Sequence, residues 1–191
     1  LRRGVGEKTR KLMSWWRDKY GVIAGLTTLS LVADQVSKAA IIAHFPQGGS
    51  LPLIPGFCEL FHTHNYAAAF GLFGGKGAWF FLIVSTLAIG FIGFYFYRLR
   101  RDDVWLATAL ALILGGALGN MIDRLRHGFV IDFIRFYLGN LSWPTFNLAD
   151  ISIVCGVAMF AIDMMRSEKQ ARGAANGAAD QPRTPPAQGT R

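Results

Sequence analysis

Apolar residues along this chain collect in four blocks, about 21–43, 78–97, 104–121 and 151–165. The segments between them are rich in charge, glycine and proline. Each block is long enough, or nearly so, to cross roughly 30 Å of hydrocarbon as a helix rising ~1.5 Å per residue. The last is short, and residues 148–149 extend it. The pattern predicts four spanning helices. Between the first two, residues 44–77 contain Pro46, Pro52, Pro55 and repeated glycines, which exclude a long helix in the first half of that loop. Its stretch GFCELFHTHNYAAAF alternates in part, as a short strand or two would. Between the last two blocks, residues 119–150 hold three aspartates, three arginines and three asparagines. So much polarity beside a membrane edge points to chemistry.

Composition agrees with a membrane protein: 191 residues, 52% hydrophobic and 17% charged. The net charge of +8 raises nucleic acid as a partner, and its distribution argues against one. Basic residues crowd positions 2–19, the link at 98–101 and positions 166–172. These are alternate junctions of a four-span chain, and the positive-inside rule puts them in the cytoplasm with both termini. The 44–77 loop, with Lys76 as its one Lys or Arg, falls outside. Arg124, Arg126 and Arg135 break the rule, so a task at the site is expected of them. The resulting division is a basic segment with interfacial Trp15 and Trp16 at 1–20, a transmembrane domain at 21–165, and a disordered cytoplasmic tail at 166–191 rich in Ala, Gly, Pro and Gln. The first span is longer than a signal-peptide apolar region and lacks a small-residue cleavage site, so it reads as retained. Cys58 and Cys155 fall at different depths, without a CxxC, and predict neither disulfide nor metal.

Inside the first span, Asp34 and Lys38 lie four residues apart with the acid first, the favourable order for an ion pair on one helical face. A lone charge at that depth costs at least ~2.5–3.5 kcal/mol, so the pair is expected to face protein and to orient the helix. Asn120, Asp123 and Arg124 share one side at the outer end of the third span. Asp132 stands within an apolar run that favours burial and a raised pKa; the competing reading is an ordinary helical ion pair with Arg135. Asp150 opens the fourth span, one turn after Asn147, where a first-turn acid is also a common cap. Asn65 reads equally as a turn cap or as a substrate-facing residue. His62 and His64 read as surface residues, because two histidines make a weak metal signal and HExxH is absent from the chain.

These groups converge in depth near the outer leaflet, as one site requires. Two carboxyls held close share a proton near neutral pH, one acting as base on water and the other as acid. Spacing alone leaves open which two of Asp34, Asp123, Asp132 and Asp150 form the pair. A small transporter would string charges through the full depth and show an internal repeat, and neither pattern is seen. A non-catalytic scaffold would tolerate loss of the acids.

The motifs DQVSK, NYAAAF, GGALGNMIDR, GFVIDF and FNLAD, in this order across residues 21–165, resemble those of the bacterial prolipoprotein signal peptidases, signal peptidase II. The resemblance implies an all-α membrane protein of four transmembrane helices with a small extracytoplasmic loop region that has room for short β-strands. It implies a metal-free, cofactor-free aspartyl endopeptidase of the bacterial inner membrane, active at the extracytoplasmic face. Such an enzyme removes signal peptides just before a lipid-modified cysteine. Asp132 and Asp150 would be the catalytic pair, supported by Asp34, Lys38, Asn65, Asn120, Arg124 and Asn147. Expected partners are lipid-modified prolipoproteins and membrane lipids, not nucleic acid, with the enzyme a monomer inhibited by globomycin. Ala67 stands where the family usually has glycine.

Overall fold

A computed structural model describes residues 19–66, 77–98 and 103–179. Ala67, the basic residues before Lys19, Lys76, the 99–102 link and the last twelve residues lie outside that set. Among the described residues four helices are seen: α1 (Lys19–His44), α2 (Gly77–Arg98), α3 (Val104–His127) and α4 (Leu148–Ala179). Three carry apolar stretches long enough to cross a bilayer, Tyr20–His44, Val104–His127 and Leu148–Gly173. The apolar stretch of α2 is shorter, Leu82–Arg98. Helix α3 is central, packed against the other three. Its alanines Ala107, Ala109 and Ala111 are fully buried, and small side chains let helix axes approach where lipid offers no hydrophobic drive for association.

Two glycines set the closest approaches. A Cβ on Gly116 would collide with the Ala149 carbonyl and lie 2.8 Å from Ile153 Cγ1, both on α4. One on Gly119 would collide with the Asp34 carboxyl and lie 3.1 Å from its Cγ. Gly116→Ala is therefore expected to lower stability by about 1–3 kcal/mol, the usual cost of overpacking. The readout is a drop of several degrees in the unfolding midpoint in detergent; an unchanged midpoint would mean that the α3–α4 contact has slack.

At one end of the bundle the loops form a sheet. Strands β1 (Ser50–Ile54), β2 (Cys58–Asn65), β3 (Val130–Leu138) and β4 (Leu141–Ser142) follow in spatial order β1-β2-β3-β4. All three pairings are antiparallel. Helices dominate, as expected, and the short strands for which the loop region had room are present, those of the first loop pairing with those of the second. The run VIDFIRFYL is β-branched and aromatic, which suits a pleated surface. Gly128 ends α3 in the left-handed region, at φ 79°, donating its N–H to the Arg124 carbonyl, so the chain turns into β3 at once. Ile41 from α1 and Ile131 and Phe133 from β3 bury a cluster that fastens sheet to bundle.

One competing reading falls and one expectation is revised. Arg135 pairs across strands with Glu59, not with Asp132, and its guanidinium lies 3.6 Å from the Phe61 ring centroid. The reason is parity: on a strand, residues three apart face opposite ways. His62 is buried, its Nδ1 2.9 Å from the Phe45 carbonyl, and His64 stacks on Phe129 at 3.9 Å. Both share the face the alternation implied, but β2 is an inner strand and so neither is a free surface residue. The tail differs as well. Helix α4 continues to Ala179, through an exposed Glu168–Arg172 pair at i,i+4 spacing, because alanine and these charged residues are good helix formers even without a buried face.

Candidate active site

The polar residues meet where α1 and α3 end, α4 begins and β2 and β3 pair. Leu148 opens α4, so Asn147 occupies the cap position and Asp150 the third residue of the first turn. The Asp150 N–H donates to Asn147 Oδ1 at 3.0 Å, and the Asn147 N–H donates to Asp150 Oδ2 at 3.1 Å. This reciprocal capping box satisfies two backbone donors, while the helix N-terminus favours the Asp150 carboxylate. Asp150 is thus both the first-turn acid and a member of the cluster. Another first-turn donor, Ala149 N–H, is met from α1 by Asp34 Oδ1 at 3.0 Å.

Asp132 reaches the same point from β3. Asn147 Nδ2 donates to its Oδ1 at 2.7 Å, and Asn65 Nδ2 to its Oδ2 at 2.8 Å. Asn147 therefore contacts both carboxyl groups, Asp132 by its side-chain amide and Asp150 by its backbone. Asp132 is 2% exposed. Burial raises its pKa, hydrogen bonds from Asn65 and Asn147 oppose the rise, and the nearby Asp150 charge adds to it; the result is about 6.

Behind the pair lies a buried ion cluster. Lys38 Nζ is 2.8 Å from both Asp34 Oδ2 and Asp123 Oδ2, all three side chains being nearly inaccessible. It also donates to Asn120 Oδ1 at 3.1 Å. Since that oxygen faces Lys38 and, at 3.1 Å, Asn147 Nδ2, the amide of Asn120 has one orientation left. Its Nδ2 donates to Asp150 Oδ1 at 2.9 Å. Arg124 holds the Asn120 carbonyl through Nη1 at 3.1 Å.

All eight residues singled out in the sequence thus belong to one connected network. Two further members join it: Asp123, weighed in the sequence as a candidate acid but given no partner, and Gln35, which was missed. Asp123 is as buried as its partners and accepts the Ile131 N–H at 3.2 Å, fixing the start of β3. Gln35 donates to Asp123 Oδ1 at 2.9 Å. A count of charge would have given Asp123 its partner: like Asp34, it needs a buried cation, and Lys38 supplies it. Among the described residues no group of three or more His, Cys, Asp or Glu side chains is arranged to hold a metal ion.

Long apolar helices capped by a buried acid cluster define a membrane-embedded enzyme. The fold is shared with a solved structure described as "Bacterial membrane enzyme structure by the in meso method at 2.3 A resolution". The two agree with a TM-score of 0.71 at 30% identity, over 78% of this chain and 91% of the other. The sequence pattern of Signal peptidase (SPase) II matches residues 26–166, and the chain belongs to that family of peptidases. It is 40% identical over 154 residues to the lipoprotein signal peptidase of Syntrophus aciditrophicus (strain SB), covering 78% of this chain and 93% of the relative. Against the lipoprotein signal peptidase of Serratia proteamaculans (strain 568), identity is 45% over 141 residues, 72% of this chain and 83% of the relative.

Proposed function

We propose that this protein is an aspartyl endopeptidase of the bacterial inner membrane that removes signal peptides from prolipoproteins, cutting before the lipid-modified cysteine. The observation that carries the reading is the pair of carboxyls tied to one asparagine, with Asp132 raised to about 6. In this reading Asp150 is the base, its carboxylate favoured by the α4 N-terminus and by N–H donors on both oxygens. Asp132 is the acid, its proton retained up to about pH 6 by burial. Asp150 takes a proton from water as the oxygen attacks the scissile carbonyl carbon, and Asp132 gives its proton to the carbonyl oxygen. The tetrahedral diol then collapses, the C–N bond breaks, and the amine leaves with a proton returned through the pair. Asn65, Asn120 and Asn147 hold these groups, Arg124 and Lys38 hold Asn120, and Asp34 holds Lys38.

Helix α2 completes a four-span arrangement with both ends of the chain cytoplasmic and the site at the extracytoplasmic face. The positive-inside pattern supports this, as does the end of the bundle at which the acids gather. A substrate carrying acyl chains is retained at that depth by the lipid itself. One copy supplies every group of the network, in keeping with a monomer. The test is cleavage of a purified lipid-modified precursor by the reconstituted protein. Release of the signal peptide with the lipidated cysteine at the new N-terminus supports the proposal; an intact precursor, or cleavage elsewhere, removes it.

The pKa of Asp132 makes the pH dependence specific. kcat/KM, which reports the free enzyme, is expected to fall as pH rises through about 6, where Asp132 loses its proton. The hydrogen bond from Asn65 lowers that pKa, so Asn65→Ala should move the alkaline limb to higher pH while reducing kcat. A limb that stays put or moves down would detach Asp132 from the acid step. The same shift has a stability sign. Because the folded pKa lies above the unfolded one, this group's contribution is fully present below about 3.8 and is lost as pH rises through about 6.

A further inference from the structure

The end of the sheet remote from the carboxyl pair bears a surface that the proposed chemistry leaves unused. Strands β2 and β3 pair from Asn65 opposite Val130 at the site to Cys58 opposite Phe136 at the other end. At ~3.3 Å per residue the far end lies roughly 20 Å away. There two hairpin turns sit side by side, joined by the Tyr137 N–H donating to the Phe57 carbonyl at 2.9 Å and by Phe57 against Phe136 at 5.2 Å. Leu141 is 78% exposed, Leu138 72%, Trp143 69%, Ile54 55% and Phe57 49%. A shallow apolar hollow of about 350 Å³ runs between the turns, lined by Phe57, Leu138, Leu141 and Trp143 among others.

Contiguous exposed apolar surface of this kind marks a binding face. Its chemistry selects the occupant. Residues 51–58 and 136–146 contain no charged side chain and no histidine, in a protein whose net charge is +8. A protein-docking patch carries a polar, hydrogen-bonding rim. Here the polar side chains at the edge are the uncharged Asn140 and Ser142 together with Tyr137 and Trp143, the last two being the residue types that settle where headgroups meet acyl chains. The surface is also continuous in kind with the bundle, whose α1 exposes Leu29, Val32, Val36 and Ile42.

We propose that the paired hairpin tips, with Trp143 and Leu141 foremost, seat in the headgroup–acyl boundary of the bilayer on the side where the carboxyl pair lies. The sheet then rests on lipid at its far end and on the bundle at its near end. This second support holds the strand that carries Asp132 at a fixed height. The inference needs only that the helices lie in a bilayer, and it stands or falls separately from the peptidase reading.

The experiment uses the full chain in phosphatidylcholine vesicles. The Trp143 signal is the difference in emission between the unsubstituted protein and Trp143→Phe, a substitution that an exposed site accommodates. Bromines on the acyl carbons nearest the glycerol should extinguish most of that difference, and aqueous acrylamide little of it. A spin label on Leu141→Cys in a Cys155→Ser background should collide with dissolved oxygen far more often than with an aqueous nickel chelate. Free quenching by acrylamide with none by bromolipid would overturn the proposal. So would a label open to nickel, or one shielded through dimers cross-linked at Leu141→Cys, which would assign the surface to a second copy.

Discussion

Asp132→Asn and Asp150→Asn each abolish processing of a lipid-modified precursor while the protein still inserts and accumulates. General acid or base catalysis contributes roughly 10²–10⁴-fold, and each substitution removes one partner of a pair that acts together. Folding should survive because the replacements are isosteric. In Asp132→Asn the new NH2 meets either Asn147 or Asn65, whose amides already donate there at 2.7 and 2.8 Å. One donor–donor conflict follows, which Asn65, an exposed residue, relieves by turning its amide. The substitution also removes a buried carboxyl that ionises above the ordinary range, so near neutral pH it should leave stability unchanged or slightly raised. Single-turnover cleavage and the unfolding midpoint, measured on the same preparation, separate the two effects. Cleavage retained by either variant would mean that the acids brace the structure and that the chemistry lies elsewhere.

Lys38→Met has the second large effect, and it falls on folding. One ammonium serves two carboxylates, Asp34 and Asp123, at 2.8 Å each. Without it, two buried anions face each other, and breaking a buried ion pair in this way costs about 3–5 kcal/mol. Folded yield from membranes should fall sharply. Asp34→Asn and Asp123→Asn added to Lys38→Met should recover much of it, since a neutral cluster carries no uncompensated charge. The recovered protein is expected to cleave slowly, because Asn120 no longer has an ammonium to fix which end of its amide faces Asp150. Normal yield of Lys38→Met would show that the cluster is hydrated or that one acid is already protonated.

The helices could be read from the sequence because lipid demands long uninterrupted apolar runs, and 21–43, 78–97 and 104–121 fall within α1, α2 and α3. The ends were less legible. The polar continuation of α3 to His127 and of α4 to Ala179 rests on backbone propensity, which apolar counting does not register. The sheet was half legible. Partial alternation marked β2, whereas β3 is apolar on both faces, and a nine-residue run of that kind fits a buried strand or a helix equally. Its bounding glycines, Gly128 and Gly139, both with positive φ, were the available signal. For the site, residues that stand out as polar against an apolar background were found. Asp123 was seen but given no partner, since the charge balance around Lys38 emerges only when α1 and α3 are packed together.

The carrier of Asp132 also dictates what changes in length the gene can absorb. On a pleated ribbon every added residue reverses the facing of all that follow. One residue inserted between Gly128 and Asp132 would aim the carboxyl away from Asn147 while leaving composition, hydrophobicity and all four helices intact. The same insertion at Asn140, in the β3–β4 turn, would be absorbed by the loop. Spacing upstream of the strand is therefore as much a part of the chemistry as the acid itself.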